Sequence, residues 1–312
     1  MGVSIVGIRA IIDIGSNSLR LIIYEVNDNS TFKIINESKK TIRLGSYLTK
    51  DNYLTDGGID IALNVLSNFK MICENYKVID TYVVATEAMR RAINKDYICN
   101  KIKREFGFEV NILSGKEEAR YGYLAIKNSM IEKNVILLDL GGSSMEITLM
   151  ENGELRESIS LPLGCIPLTN MFNNIETEEK SIELNSFINH KLDEISWIKR
   201  NNKMNVIGIG GIAKHIGRVF KGDKNYPKQL LHSYSMTKDE ISQIYGDFLK
   251  LPVNKRANVK GLSKSRVDIF AAPLGAILSI LQYLNSEKFI ISAIGLREGI
   301  IYESLTFMKV QN

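Results

Sequence analysis

A nine-residue pattern occurs twice in this chain of 312 residues, as DIGSNSLRL from Asp13 to Leu21 and as DLGGSSMEI from Asp139 to Ile147. In each copy an apolar run leads into an aspartate, small hydrogen-bonding residues fill the bend, and apolar residues resume. That is how two strands joined by a tight polar turn are written. Aligned, Asp13 falls on Asp139, Gly15 on Gly141, Asn17 on Ser143, Ser18 on Ser144 and Arg20 on Glu146. Two unrelated hairpins could share a glycine. A shared aspartate and serine in register point to a duplication, and a duplicated chain must fold as two similar halves.

The order of elements around the copies repeats as well. RAIIDIG, LRLIIYEV and TFKIINES read as three strands, and Leu54 to Tyr76 places Ile59, Leu63, Leu66, Phe69 and Ile72 on one helical face. IDTYVVAT reads as a strand, EAMRRAINKDYICNKIKREFG as a helix and FEVNIL as a short strand, with a helix from Ser114. The series then restarts with NVILLDLGG, SSMEITLMENG and ELRESISLP as strands. Helices between Leu168 and Trp197, MNVIGIGG as a buried strand, helices as far as Leu284, KFIISAIG as a strand and a closing helix from Leu296 complete it. No Pro/Gly-rich linker separates the copies, so closely packed halves are expected. A hinge is expected near residues 125–133, and the final helix is expected to return to the first half.

Composition narrows the class. The length exceeds one ordinary core and suits two domains, and 45% hydrophobic with 24% charged residues describes a folded, soluble protein. Lys+Arg 40 against Asp+Glu 35 gives +5, too mild an excess for a nucleic-acid partner. Cys73, Cys99 and Cys165 lack CxxC spacing and three histidines are scattered, which argues against a disulfide framework or a zinc centre. The apolar stretch Ala271 to Leu284 is too short to span a membrane. A cytoplasmic protein is expected.

A turn of small residues exposes successive backbone N–H groups, which form a concave anion site. Gly141 and Gly142 let an anion approach the backbone, and Asn17, Ser18, Ser143 and Ser144 add side-chain donors. An aspartate at the end of a buried strand needs a positive partner. Mg²⁺ suits Asp13 and Asp139, because it binds through a few carboxylates, waters and substrate phosphates. The bland alternative, that each aspartate caps its turn, would win for either copy alone. Lys214, His215 and Arg218 lie on one helix and read first as a solvated basic face.

These turns, with VVATEAMRRA (Val83 to Ala92), SGKEEARYGYLA (Ser114 to Ala125), IGIGG (Ile207 to Gly211) and IGLREG (Ile294 to Gly299), resemble the exopolyphosphatase / guanosine pentaphosphate phosphatase (Ppx/GppA) family. That family belongs to the actin, sugar-kinase and chaperone-ATPase fold group. The resemblance covers essentially the whole chain, with the motifs in order. It implies an α/β fold of two duplicated ribonuclease H-like (actin-like ATPase) domains, each a mixed sheet flanked by helices, with the active site in an interdomain cleft. The domains would be residues 1–126, joined by a C-terminal helix at about 297–312, and residues 127–296.

The resemblance also assigns roles. Glu118 becomes the catalytic base, while Ser114 and Glu117 have capping-box spacing and hence a structural task. Glu146 becomes a second catalytic carboxylate, linked to the metal or positioning water. Arg90 and Arg20 join Asn17, Ser18, Gly141, Gly142, Ser143 and Ser144 around phosphate. Gly210 and Gly211 hold a more distal part of the substrate, and Asp13, Asp139 and Glu146 hold Mg²⁺ or Mn²⁺. The expected activity is hydrolytic release of terminal orthophosphate from inorganic polyphosphate. Alternatives are hydrolysis of the 5′ phosphate of guanosine pentaphosphate, or a weakly catalytic sensor of such ligands. A homodimer is implied, with neither nucleic-acid nor membrane partner.

Overall fold

The computed structural model describes residues 5–27, 31–172, 175 and 177–311, with side chains from residue 7 to residue 306 within those ranges. Two compact units emerge, residues 1–118 with 300–312 and residues 119–299.

In the first unit β1 (Ile5–Ile14), β2 (Ser18–Asn27) and β3 (Phe32–Thr41) form an antiparallel meander. Helix α1 (Asp56–Asn75) leads to β4 (Asp80–Ala85), parallel to β1. Helices α2 (Glu87–Arg91) and α3 (Lys95–Phe106) lead to β5 (Val110–Ile112), parallel to β4. The sheet order is β3-β2-β1-β4-β5.

The second unit repeats this plan after α4 (Gly115–Ser129), which starts at the end of the first unit's chain and continues into the second. Strands β6 (Val135–Leu140), β7 (Met145–Glu151) and β8 (Glu154–Leu161) form the meander. Helices α5 (Cys165–Phe172) and α6 (Glu178–Asp193) lead to β9 (Asn205–Ile209), parallel to β6. Then come α7 (Gly210–Lys221), α8 (Lys228–Leu231), β10 (Tyr234–Thr237), α9 (Lys238–Lys250) and α10 (Ala271–Tyr283). Strand β11 (Lys288–Ile291) runs parallel to β9, and α11 (Leu296–Gln311) closes the chain. The order is β10-β11-β9-β6-β7-β8. Without the edge strand β10, it is the first sheet again, which is the duplication at the level of topology.

Strand alternation decides where the chemistry can lie. In the first unit Ala10, Ile12 and Ile14 of β1 and Leu19, Leu21 and Ile23 of β2 pack with Leu63, Leu66 and Phe69 of α1 and Ile98 and Ile102 of α3. Asp13 and Arg20 therefore project from the other face. In the second unit Ile136, Leu138, Leu140, Met145 and Ile147 pack with α5, α6 and α10. Val135, Leu137, Met150, Ile207 and Ile209 pack with Tyr123 and Ile126 of α4 and with Met130 just beyond it. Asp139 and Glu146 alternate onto this α4 side. On the corresponding side of the first sheet, Phe32 stacks edge-on against Tyr302 of α11, with ring centroids 5.4 Å apart. Each of these contacts lies within one unit, α4 with the second sheet and Tyr302 of α11 with the first.

Three local readings are corrected. The single helix read over residues 87–107 is two helices, because Asn94 turns its amide onto the backbone of Leu54. Its Nδ2 donates to Leu54 O at 2.9 Å, and its Oδ1 accepts from Leu54 N at 3.0 Å. Strand β10 lies in a region read as helical. Finally, Gly210 and Gly211 begin α7 and do not extend the preceding strand. No helix among the described residues is long and apolar enough to cross a membrane.

Candidate active site

The duplicated hairpins close with the same register. Asp13 pairs with Arg20 and Ile14 with Leu19, as Asp139 pairs with Glu146 and Leu140 with Met145. Glycine opens both turns for a steric reason. A Cβ on Gly15 would lie 3.0 Å from Ser18 O, and one on Gly141 would lie 3.2 Å from Ser144 O. Gly141 N donates to that same carbonyl at 2.9 Å.

The surroundings grip the carbonyls of the turns. Gly45 N donates to Ser16 O at 2.8 Å, and Ile42 N and Arg43 N donate to Asn17 O. Ser16 Oγ also accepts from Ala88 N at 3.1 Å, tying the first turn to α2. In the second turn Cys165 N and Ile166 N, at the start of α5, donate to Gly141 O and Gly142 O, both at 2.9 Å. Gly164 sits so close beneath that a Cβ there would fall 2.5 Å from the backbone N of Ser143 and of Ser144. In a planar trans peptide the N–H points opposite to the C=O. Anchoring these carbonyls therefore turns the N–H groups of Asn17, Gly142 and Ser143 away from the scaffold. Among the described residues no backbone carbonyl accepts from any of the three.

Asn17 is the most telling residue of the first turn. It is only 6% exposed, and neither its Nδ2 nor its Oδ1 has a hydrogen-bond partner. A buried amide left so costs about 1–3 kcal/mol. Ser18, Ser143 and Ser144 are buried beside the turns too. Arg20 Nε lies 3.4 Å from Ser18 Oγ.

Glu118 and Arg90 meet within the first unit, at the C-terminal ends of its parallel strands, where open α/β sheets place ligands. Arg90 Nη1 donates to Glu118 Oε1 at 2.5 Å and to Leu113 O, while Nη2 donates to Glu87 Oε2. Both carboxylates are largely buried. Burial works to lower the Arg90 pKa, but the hydrogen bond and charge of Glu118, then those of Glu87, outweigh it and raise the value. A guanidinium has five N–H donors, so Nε and one Nη2 hydrogen are left over for an anion. Glu118 is therefore not the solvated first-turn carboxylate that helix dipoles favour. The neighbouring capping box is present, with Ser114 N donating to Glu117 Oε2 at 2.7 Å and Glu117 N to Ser114 Oγ at 3.3 Å.

In the second unit Asp139 lies against the start of α7. Gly210 adopts φ +89°, and a Cβ there would lie 2.6 Å from Asp139 Oδ1. The second glycine of IGIGG is thus required by the turn aspartate itself. Glu146 is 4% exposed and accepts from Ser160 Oγ at 2.7 Å, so it is not an outward strand residue.

Each unit gathers its own share of the expected residues: Asp13, Asn17, Ser18, Arg20, Arg90 and Glu118 in one, Asp139, Gly141 to Ser144, Glu146 and Gly210 in the other. Sequence reasoning missed Gly164, Glu87, Ser160 and Arg266. Arg266 is 5% exposed and lies by Cys165. Burial pushes the Cys165 thiol up to about 11, with Arg266 lowering it and Asp139 raising it. A lone arginine in a polar loop gives no sequence signal of that placement. The basic face on α7 is corrected: Lys214 Nζ donates to Ala293 O, Arg218 Nε to Tyr226 O, and His215 is buried between Gly211 O and Ser263 Oγ. All three serve packing. A cavity of about 340 Å³ between α7 and α9, lined by Phe220, Ile244 and Phe248, contains none of the predicted residues.

Known proteins resemble this chain in sequence and in fold. The sequence profile of the Ppx/GppA phosphatase family matches residues 22–307. A Fusobacterium nucleatum bifunctional 3-dehydroquinate synthase/phosphatase is 30% identical over 91% of this chain and 45% of its own. A Haemophilus influenzae protein provisionally named an exopolyphosphatase is 24% identical over 94% of this chain and 90% of its own. A guanosine-5′-triphosphate,3′-diphosphate pyrophosphatase of Aeromonas salmonicida is 25% identical over 94% and 58%. The chain thus spans about half the length of two of these relatives. The crystal structure of the Aquifex aeolicus Ppx/GppA family member superposes with a TM-score of 0.84 at 28% identity, covering 97% of this chain and 98% of that one. With duplicated mixed sheets, a profile match over residues 22–307 and this superposition, the chain belongs to the Ppx/GppA phosphatase family, with its two-domain actin-like fold.

Proposed function

We propose that this chain is an exopolyphosphatase that hydrolyses the terminal phosphoanhydride of inorganic polyphosphate. One observation carries the reading: a duplicated turn whose carbonyls are anchored and whose N–H groups are not, with the buried, unpartnered amide of Asn17 in one copy. Such a device has an oxyanion as its natural ligand. We propose that both turns act on the same terminal phosphoryl group.

The donor set fits a divalent metal of the Mg²⁺ or Mn²⁺ kind. Asp139 and Glu146 are in-register neighbours on one sheet face and offer hard oxygens. Among the described residues no three His, Cys, Asp or Glu gather into a ready-made cage. That suits Mg²⁺, which takes one or two carboxylates and fills its shell with water and substrate phosphate oxygens. Asp13, Asp139 and Glu146 would hold the ion, some of them only through water, and the ion would then neutralise charge on the terminal and penultimate phosphoryl groups.

In the reaction Asn17, Ser18, Ser143, Ser144 and the N–H groups of the turns orient the terminal phosphoryl oxygens. Arg90 holds Glu118 and offers its remaining N–H donors to the phosphate. Glu118 accepts a proton from the attacking water as its oxygen bonds to phosphorus. The anhydride P–O bond breaks, and the shortened chain leaves with both bonding electrons. Phosphoryl transfer asks chiefly for positioning and charge neutralisation, and these residues provide both. Gly211 and the first turn of α7 are proposed to contact substrate beyond the terminal group.

The name of the Aeromonas relative favours a second reading, hydrolysis of the 5′ phosphate of guanosine pentaphosphate. The test is phosphate release from long-chain polyphosphate and from guanosine pentaphosphate, measured side by side with Mg²⁺ for wild type and Glu118→Gln. The proposal expects faster release from polyphosphate and a variant slowed about 10²–10⁴-fold. Equal activity of the variant removes Glu118 as base. Preference for the nucleotide selects the second reading, and tight binding of either ligand without turnover identifies a sensor.

A further inference from the structure

In each sheet the row that starts at the turn aspartate continues onto the third strand. It reads Asp13, Arg20, Lys39 in the first unit and Asp139, Glu146, Ser160 in the second. In-register residues on antiparallel neighbours share a face, with Cβ atoms about 4.5–5.5 Å apart. The two rows are equivalent by duplication but differ chemically. The third place is an exposed lysine in one and a half-buried serine in the other.

The serine touches the carboxylate. Ser160 Oγ donates to Glu146 Oε1 at 2.7 Å, a charge-assisted geometry. A glutamate has three side-chain torsions, and one that is 4% exposed can serve chemistry only if something fixes its carboxylate plane. Ser160 is itself held firmly. The only register shift between β7 and β8 lies at Leu149/Met150, so the ladder is regular from Leu149 to Met145. Four residues on, Gly164 packs under the second turn. One short segment, residues 160–164, therefore contacts both the carboxylate and the phosphate-type turn.

We infer that Ser160 is a positioning residue that orients Glu146 toward the metal and the attacking water. The inference rests on the site reading proposed above. It predicts that the hydroxyl, and not the volume of the side chain, is what matters.

The test compares Ser160→Ala, Ser160→Thr and Glu146→Gln with wild type. Three readouts are needed: kcat and KM on polyphosphate, Mn²⁺ binding by electron paramagnetic resonance without substrate, and thermal unfolding. Removing an outer-shell partner typically costs 10–100-fold, so Ser160→Ala should lower kcat and weaken Mn²⁺ binding by about 10-fold or more, with KM within about threefold. Ser160→Thr, which keeps the hydroxyl, should restore both. Wild-type kcat and Mn²⁺ affinity in Ser160→Ala, or a threonine variant as impaired as the alanine one, would overturn the inference. Loss in Glu146→Gln with none in Ser160→Ala overturns Ser160 alone. Full activity in Glu146→Gln overturns the site reading and this inference with it.

Discussion

Replacing Gly210 by alanine should damage stability and metal dependence together, because one methyl group meets two constraints. The backbone there has φ +89°, and the new Cβ would sit 2.6 Å from Asp139 Oδ1. Left-handed backbone costs a non-glycine residue about 1 kcal/mol. Carbon and oxygen that close cannot coexist, so Asp139 must leave its rotamer, which adds about 0.5–1.5 kcal/mol. The sum is about 2 kcal/mol, or roughly 4–8 °C in Tm for a unit of this size. The displaced carboxylate should also raise the Mg²⁺ concentration needed for half-maximal phosphate release. Gly246 in α9 is the control, since a Cβ there meets nothing within 4 Å. Gly246→Ala should be stabilising by up to about 1 kcal/mol through helix propensity. Differential scanning calorimetry with a Mg²⁺ titration of activity reads both effects. A Gly210→Ala protein that melts within a degree of wild type and has an unchanged Mg²⁺ requirement would refute the contact and its link to Asp139.

Other expectations follow from named contacts. Gly299→Ala places a Cβ 1.9 Å from Tyr121 O, where α11 crosses α4. Backbone must move, and thermal unfolding should register a loss of about 1–3 kcal/mol or more. Arg90→Lys leaves a point charge where a planar fork serves two carboxylates and a carbonyl. Steady-state kinetics should show kcat/KM reduced by at least about tenfold, as expected on losing a charged hydrogen bond worth about 1.5–3 kcal/mol. Stability should fall at alkaline pH. The Cys165 thiol is pushed from 9.0 to about 11 by burial, so the native state keeps a proton that the unfolded chain releases. That contribution is fully present below pH 9 and is lost as pH rises toward 11. Chemical denaturation between pH 8 and 11 should show the decline, and a flat profile would contradict it.

How much of this was legible follows from the kind of signal each residue gives. The duplication was visible because Asp, Gly and Ser recur at fixed spacing, whereas the sheet face that Asp13, Arg20, Asp139 and Glu146 occupy emerged only with the packing of the cores. The capping box at Ser114 was local, and local hydrogen bonds are written in local sequence. The break between α2 and α3 was not legible, since Asn94 stops the helix by bonding to Leu54, forty residues earlier. Arg266, Ser160 and Gly164 were missed for the same reason: each acts on a residue far away in sequence, and none carries a motif. The basic stripe on α7 misled because helical spacing shows which side chains lie together, not that their donors end on carbonyls of distant loops.

The claim that two duplicated turns act on one phosphoryl group is tested most directly by a double-mutant cycle on kcat/KM with Asn17→Ala, Ser143→Ala and the pair. Sites without a shared partner combine additively to within about 0.3–0.5 kcal/mol. Sharing one transition-state phosphoryl group predicts a coupling of about 1 kcal/mol or more, roughly a fivefold departure from the product of the single effects. Strict additivity of two substantial single effects would show that each turn serves a separate ligand, and would contradict the account.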